Sequence, residues 1–142
     1  MNIVITPNKL DVSAQLHASL QQATSTKEIQ PDHTQIIFNF RNSSYYQTKA
    51  GYHPVEISIS REDARDDWRL LYISDLAYFG HPYPELDIEI DFNFQAGIFY
   101  MVGLTRQPIN HPMVQDFYKT WESNFLAYLS SGVFDDITVN SW

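Results

Sequence analysis

The stretch Leu86-Asp87-Ile88-Glu89-Ile90-Asp91-Phe92-Asn93-Phe94 alternates apolar and polar residues at every position. Successive side chains of a β-strand point to opposite faces. Leu86, Ile88, Ile90, Phe92 and Phe94 therefore predict one apolar row, and Asp87, Glu89, Asp91 and Asn93 the opposite one. This is the pattern of a strand with one face on a core and the other toward water or a partner. Same-face neighbours on a strand stand about 6.5–7 Å apart, from a rise of about 3.3 Å per residue. That spacing is too wide for three ligands to one cation without help from adjacent strands. It suits a row of arginines or lysines on a partner, or plain solvation of a sheet face.

The flanking sequence repeats the strand pattern. Gln35–Arg41 alternates with Ile36, Phe38 and Phe40 on one face, and Pro54–Ser60 alternates with Val55, Ile57 and Ile59. Trp68–Phe79 is apolar on both faces, as a central strand is. Gly80-His81-Pro82-Tyr83-Pro84 cannot continue a ladder, because neither proline has an N–H to donate. Gln95-Ala96-Gly97 predicts a turn, with Ile98–Leu104 as hairpin partner, and Phe134–Val139 predicts a last short strand. Two segments read as helices. Asp11–Ala23 places Val12, Leu16, Leu20 and Ala23 at helical spacing behind an Asp11 N-cap. Pro112 opens the second, whose stripe is Val114, Phe117, Trp121, Phe125 and Tyr128, and Gly132 closes it. Thr24–Thr34 and the tyrosine-rich Asn42–Tyr52 read as connectors.

Strands that follow one another without intervening helices make an antiparallel sheet. The expectation is an α+β fold, one domain over residues 1–142. Its mainly antiparallel sheet has about five to six strands, with an N-terminal and a C-terminal helix packed on one face. A chain of 142 residues buries roughly 70% of its unfolded surface, enough for a real core. With 44% hydrophobic and 18% charged residues the composition is globular, and nine Phe, nine Tyr and three Trp predict a core rich in rings.

The net charge of −8 is uneven: ten acids and three bases between Glu56 and Asp91 account for −7 of it. Such a surface repels phosphate backbones and anionic lipid, so nucleic acid and membrane are not expected partners, and a basic protein is. The absence of cysteine excludes disulfides and thiol chemistry. Met1–Pro7 has no basic leader, and no segment has the roughly 20 apolar residues of a membrane span. A cytoplasmic location is expected.

Candidate chemistry is sparse. His53, His81 and His111 each precede a proline, which places them at element edges. They lack the close spacing of His-x-His or His-Glu-x-x-His, so no metal site and no cofactor is expected, and His111 reads as a helix entry. No Gly-x-Ser-x-Gly elbow and no glycine-rich phosphate loop occurs. The polar residues around the Asn42–Tyr52 connector are the other constellation. Arg41 and Glu56 fall on the polar faces of neighbouring strands and predict a cross-strand ion pair.

Phe40-Arg41-Asn42-x-x-Tyr45, Gly51-Tyr52-His53-Pro54-Val55-Glu56-Ile57, Tyr72-Ile73-Ser74-Asp75, Tyr83-Pro84-Glu85-Leu86 and Gly132-Val133-Phe134 are the motifs of a resemblance. Over about residues 35–139 the chain resembles a family of short bacterial proteins catalogued as domain of unknown function 2787. The resemblance implies a compact bacterial domain and brings no activity, cofactor or catalytic residue. Three functional readings follow. The first is a protein–protein interaction module whose acidic surface is Asp87, Glu89 and Asp91. The second is an enzyme or small-ligand binder with a pocket among Arg41, Tyr45, Tyr52, His53, Glu56, Asp75, His81 and Glu85. The third is an acidic mimic of nucleic acid. A pocket containing His53 and Asp75 favours the second; an exposed flat acidic face favours the first.

Overall fold

Each alternating run becomes a strand: β1 Gln35–Arg41, β2 Val55–Ser60, β3 Arg69–Phe79, β4 Glu85–Asn93, β5 Ile98–Met101 and β7 Asp136–Ser141. The structure, a computed structural model, describes residues 10–142. The Met1–Pro7 segment, with its expected lack of a leader, lies outside the described residues. A two-residue strand, β6 Gln107–Pro108, was not expected and brings the sheet to seven strands among the described residues. It is too short to leave a periodic signature. The order is β6-β5-β4-β3-β2-β1-β7, with every pairing antiparallel. The run that is apolar on both faces, β3, lies at the centre of this order. The fold is α+β.

Among the described residues three helices accompany the sheet: α1 Ala14–Ala23, α2 Ser43–Thr48 and α3 Pro112–Ser130. Pro112 occupies the start of α3, and His111 caps it by accepting the Met113 N–H at Nδ1, 3.0 Å away. In α1 the cap is Ser13, whose Oγ accepts the Leu16 N–H, and not Asp11. Between β1 and β2 the sequence pattern predicted only a loop, but α2 forms there. Its apolar anchor is the single buried Tyr45, too little to give a periodic stripe. Asn42 caps it from the side-chain oxygen and donates its amide N–H to Val133 O at 2.6 Å, tying α2 to the chain leading into β7.

The core is a layer of rings between sheet and α3. Phe92 on β4 contacts Phe99, Phe117, Tyr118 and Trp121, while Phe40 on β1 contacts Phe125 and Phe134. Each such buried side chain contributes about 1.5–3 kcal/mol relative to exposure. The buried face of α3 is broader than the predicted stripe, taking in Tyr118, Glu122 and Leu126, because α1 packs beside it. Glu122 is buried as an acceptor, from Tyr118 Oη–H at 2.6 Å and from the Ser13 N–H at 3.2 Å. Phe117 and Tyr128 lie at the margins, Tyr128 40% exposed. Among the described residues no helix is long and apolar enough to cross a membrane.

Candidate functional site

The strand that decides the fold carries one irregularity. Pairing of β3 with β4 runs in step from Tyr72↔Asn93 to Asp75↔Ile90, but Leu76 then pairs with Ile88. Glu89 is the extra residue of a β-bulge, and the alternation changes face there. The single acidic row expected from Asp87, Glu89 and Asp91 therefore does not form. Asp91 stays opposite Ser74, whose Oγ–H donates to it at 2.8 Å, and burial pushes its carboxyl up. Asp87 stands opposite Ala77 and is exposed. Glu89 turns instead to His53, with Oε2 at 2.9 Å from Nδ1.

His53 ends the segment that joins α2 to β2. The segment starts at Lys49, in the left-handed region at φ 60°, and bends at Gly51, whose φ of 108° favours glycine. Pro54 is buried and its carbonyl accepts the Leu76 N–H at 2.9 Å, which pins the segment beside β3. His53 Nδ1 thereby comes within 2.8 Å of Asp75 Oδ1. The other oxygen of Asp75 accepts the indole N–H of Trp121 at 3.0 Å. Trp121 is held in turn by stacking on Phe125 and by contacts to Phe92 and Tyr118. A helix residue thus fixes a strand carboxylate, and the carboxylate fixes an imidazole. The Asp75 side chain is 14% exposed, while His53 and Glu89 are each 34% exposed.

Electrostatics follow the geometry. The Asp75 hydrogen bond raises the His53 pKa above its ordinary 6.5, against the opposing effect of burial, and the charges of Asp75 and Glu89 add to the rise. Beside His53 lies Tyr45, with 5.4 Å between ring centroids; burial pushes its phenol up, and its oxygen accepts the Tyr78 N–H.

His53 and Asp75 line a cavity of about 570 Å³ between the 51–55 segment and α3. Its walls are rings, Tyr52, Trp121, Phe125, Tyr128 and Phe134, with Asn124 adding an amide. Tyr52 and Tyr128 meet edge to face at 4.9 Å across centroids. Aromatic walls with a few convergent polar groups are the usual make-up of a small-molecule site.

The structure thus brings together four of the residues singled out in the sequence: Tyr45, Tyr52, His53 and Asp75. Four others go elsewhere. Arg41 donates to Asn39 Oδ1 at 3.1 Å and to the Tyr46 hydroxyl, and Glu56 accepts from Tyr72 Oη–H at 2.5 Å. The expected Arg41–Glu56 pair is replaced because the register sets Asn39, not Arg41, opposite Glu56. His81 and Glu85 are exposed at the β3–β4 connection. Sequence reasoning missed Trp121, Asn124 and Tyr128 as site residues, since all three read as positions on a helix. It also missed Glu89 as a partner of His53, and its spacing argument for metal ligands saw only neighbours along the chain. Among the described residues, His53, Asp75 and Glu89 place one ligand-type atom each within 4.8 Å of one another.

Comparison with known proteins bears on the whole chain. The hypothetical protein VC0508 from the Vibrio cholerae VSP-II pathogenicity island is 33% identical. The match covers 96% of this chain and 99% of that one, with a TM-score of 0.83. The conserved hypothetical protein VC1805 from pathogenicity island VPI-2 of Vibrio cholerae O1 biovar eltor is 35% identical over 96% of this chain and 100% of that one, TM-score 0.76. VC1805 is described as sharing structural homology with the human P32 protein. No curated protein matches the sequence. The family model described as protein of unknown function (DUF2787) matches residues 14–140, and the chain belongs to that family.

Proposed function

We propose that the protein binds a small molecule in the aromatic cleft, with His53 exchanging a proton with the polar end of that molecule. The observation that carries this reading is the bond from His53 Nδ1 to an Asp75 carboxylate that Trp121 braces, set in the wall of a cavity of about 570 Å³. An imidazole whose Nδ1–H is held by a carboxylate keeps its other nitrogen, Nε2, for proton transfer or hydrogen bonding. The rings around it suit a flat apolar body. A carboxylate-held imidazole supports acid–base chemistry at Nε2.

The acidic contact surface has less to stand on, because Glu89 faces His53 and Asp91 is held by Ser74. The likeness of VC1805 to P32 is structural, and a shared fold does not by itself carry a function. The test is a titration of metal-free protein with indole, benzylamine and benzoate, followed by amide and indole N–H NMR. Shifts at Tyr52, Trp121 and Asn124 with at least one probe, weakened by His53→Gln, are the expected result. Shifts confined to other parts of the surface, or none with any of the three, would reject the cleft as the binding site.

A further inference from the structure

Glu89 is not needed by the proton-exchange reading, and its placement calls for its own account. A His–carboxylate pair requires one acceptor at Nδ1, yet two carboxylate oxygens stand there, Asp75 Oδ1 at 2.8 Å and Glu89 Oε2 at 2.9 Å. One N–H carries one proton and serves one acceptor well. Bringing a second carboxylate to the same point adds like-charge repulsion that a single positive charge does not balance. The backbone is nonetheless arranged to do it, since the bulge takes Glu89 out of step with the ladder.

We infer that His53 Nδ1, Asp75 Oδ1 and Glu89 Oε2 form a binding site for a divalent transition ion of the zinc or manganese kind. Two carboxylates and a neutral imidazole balance a doubly charged ion. One nitrogen with two oxygens is a donor set such ions accept. Nδ1 stands 2.8 and 2.9 Å from the two oxygens, the separation of neighbouring ligands around one ion with bonds of about 2.0–2.2 Å, and the three residues offer ligand atoms within 4.8 Å of one another. The Trp121 N–H on the remaining oxygen of Asp75 is the outer hydrogen bond that orients a ligating carboxylate. Partial exposure of His53 and Glu89 gives the ion a path in. Three protein ligands leave coordination positions open to water or to a molecule bound beside them. The inference goes beyond the cleft reading: the cleft can take a ligand with no ion present, and the ion can bind with the cleft empty.

The experiment uses the full chain, stripped with chelator and dialysed, and titrated with zinc and then manganese by calorimetry. Binding of one equivalent of either ion is expected. Glu89→Gln and His53→Gln should each weaken it about tenfold or more, and Trp121→Phe should do so through the lost N–H. Asp87→Asn, an exposed acid two residues away, should change nothing. Should a variant fail to fold, the wild type still decides the matter, because zinc must shift the Nδ1 resonance of His53 and not that of His17, His33, His81 or His111. Failure of both ions to bind overturns the inference. So does binding that is equal in all variants, or that shifts another histidine. The small-molecule titration is run without metal, so either reading can fail while the other stands.

Discussion

Replacing Trp121 by alanine tests the core and the site together. The residue is 8% exposed, and its indole lies parallel to Phe125 at 5.3 Å between centroids and touches Phe92 and Tyr118. Truncating an aromatic of this burial costs about 3–5 kcal/mol in lost transfer energy and cavity. The alanine variant also leaves Asp75 Oδ2 without its donor. Trp121→Phe isolates that second effect, since it keeps a ring against Phe125 and removes only the N–H and part of the area. A buried acceptor left short of a partner costs about 1–3 kcal/mol, and the 14% exposure of Asp75, which admits water, sets the expectation toward about 1 kcal/mol. Urea unfolding measures both variants, and a chain of this size should lose roughly 3–4 °C of Tm per kcal/mol. A loss under about 1 kcal/mol for the alanine variant would put Trp121 outside the core. Equal losses for the two variants would mean that the N–H, and not the ring packing, dominates.

Two titrations follow from the same geometry. In metal-free protein the NMR midpoint of His53 should lie above 6.5, and Asp75→Asn should lower it. Because the folded value is raised, the contribution of protonated His53 to stability is full below 6.5 and fades as pH rises through the folded value. The stability advantage over His53→Gln should shrink across that window, and one that grows with pH would contradict the sign. Burial pushes Tyr45, Tyr72 and Tyr118 up, so a spectrophotometric titration of the nine tyrosines should leave these three un-ionised until alkaline unfolding releases them together.

Much of the fold was legible because its strands obey period two. Ile36, Phe38 and Phe40 are all buried as the alternation requires, and the doubly apolar Trp68–Phe79 run does lie mid-sheet. What escaped has a common cause. Tyr45 anchors α2 by tertiary contact alone, Trp121 serves the site from a helix already explained by its stripe, and His53 meets Asp75 across 22 positions. Periodicity reports which face a residue takes, not which atoms meet across strands. The family motif Gly51–Ile57 marked the right segment, since it holds His53 and the turn that positions it, but named no chemistry.

Glu89 sharpens the point, because a flawless alternation runs through a bulge. Ile90 and Phe92 lie under α3, but past Glu89 the same alternation delivers Leu86 and Ile88 only to part-buried positions. A sequence built for packing alone would shift phase at the bulge, and this one does not. Local pattern and global fold disagree at the residue that reaches His53, which is where a site kept at some expense to the core is expected. Deleting Glu89 separates the two demands. Every β3–β4 pair on either side stays in place, since Asp75↔Ile90 and Leu76↔Ile88 become consecutive rungs of a regular ladder. The deletion variant should fold, with stability within about 1 kcal/mol of wild type, since it removes a position skipped by β3 at the cost of one backbone bond, from the Val102 N–H to the Glu89 carbonyl. It should also lose the rise in His53 pKa that Glu89 contributes and bind zinc at least about tenfold more weakly. A cost above about 3 kcal/mol in urea unfolding would show that the bulge serves the packing, and Glu89 would then be a structural residue.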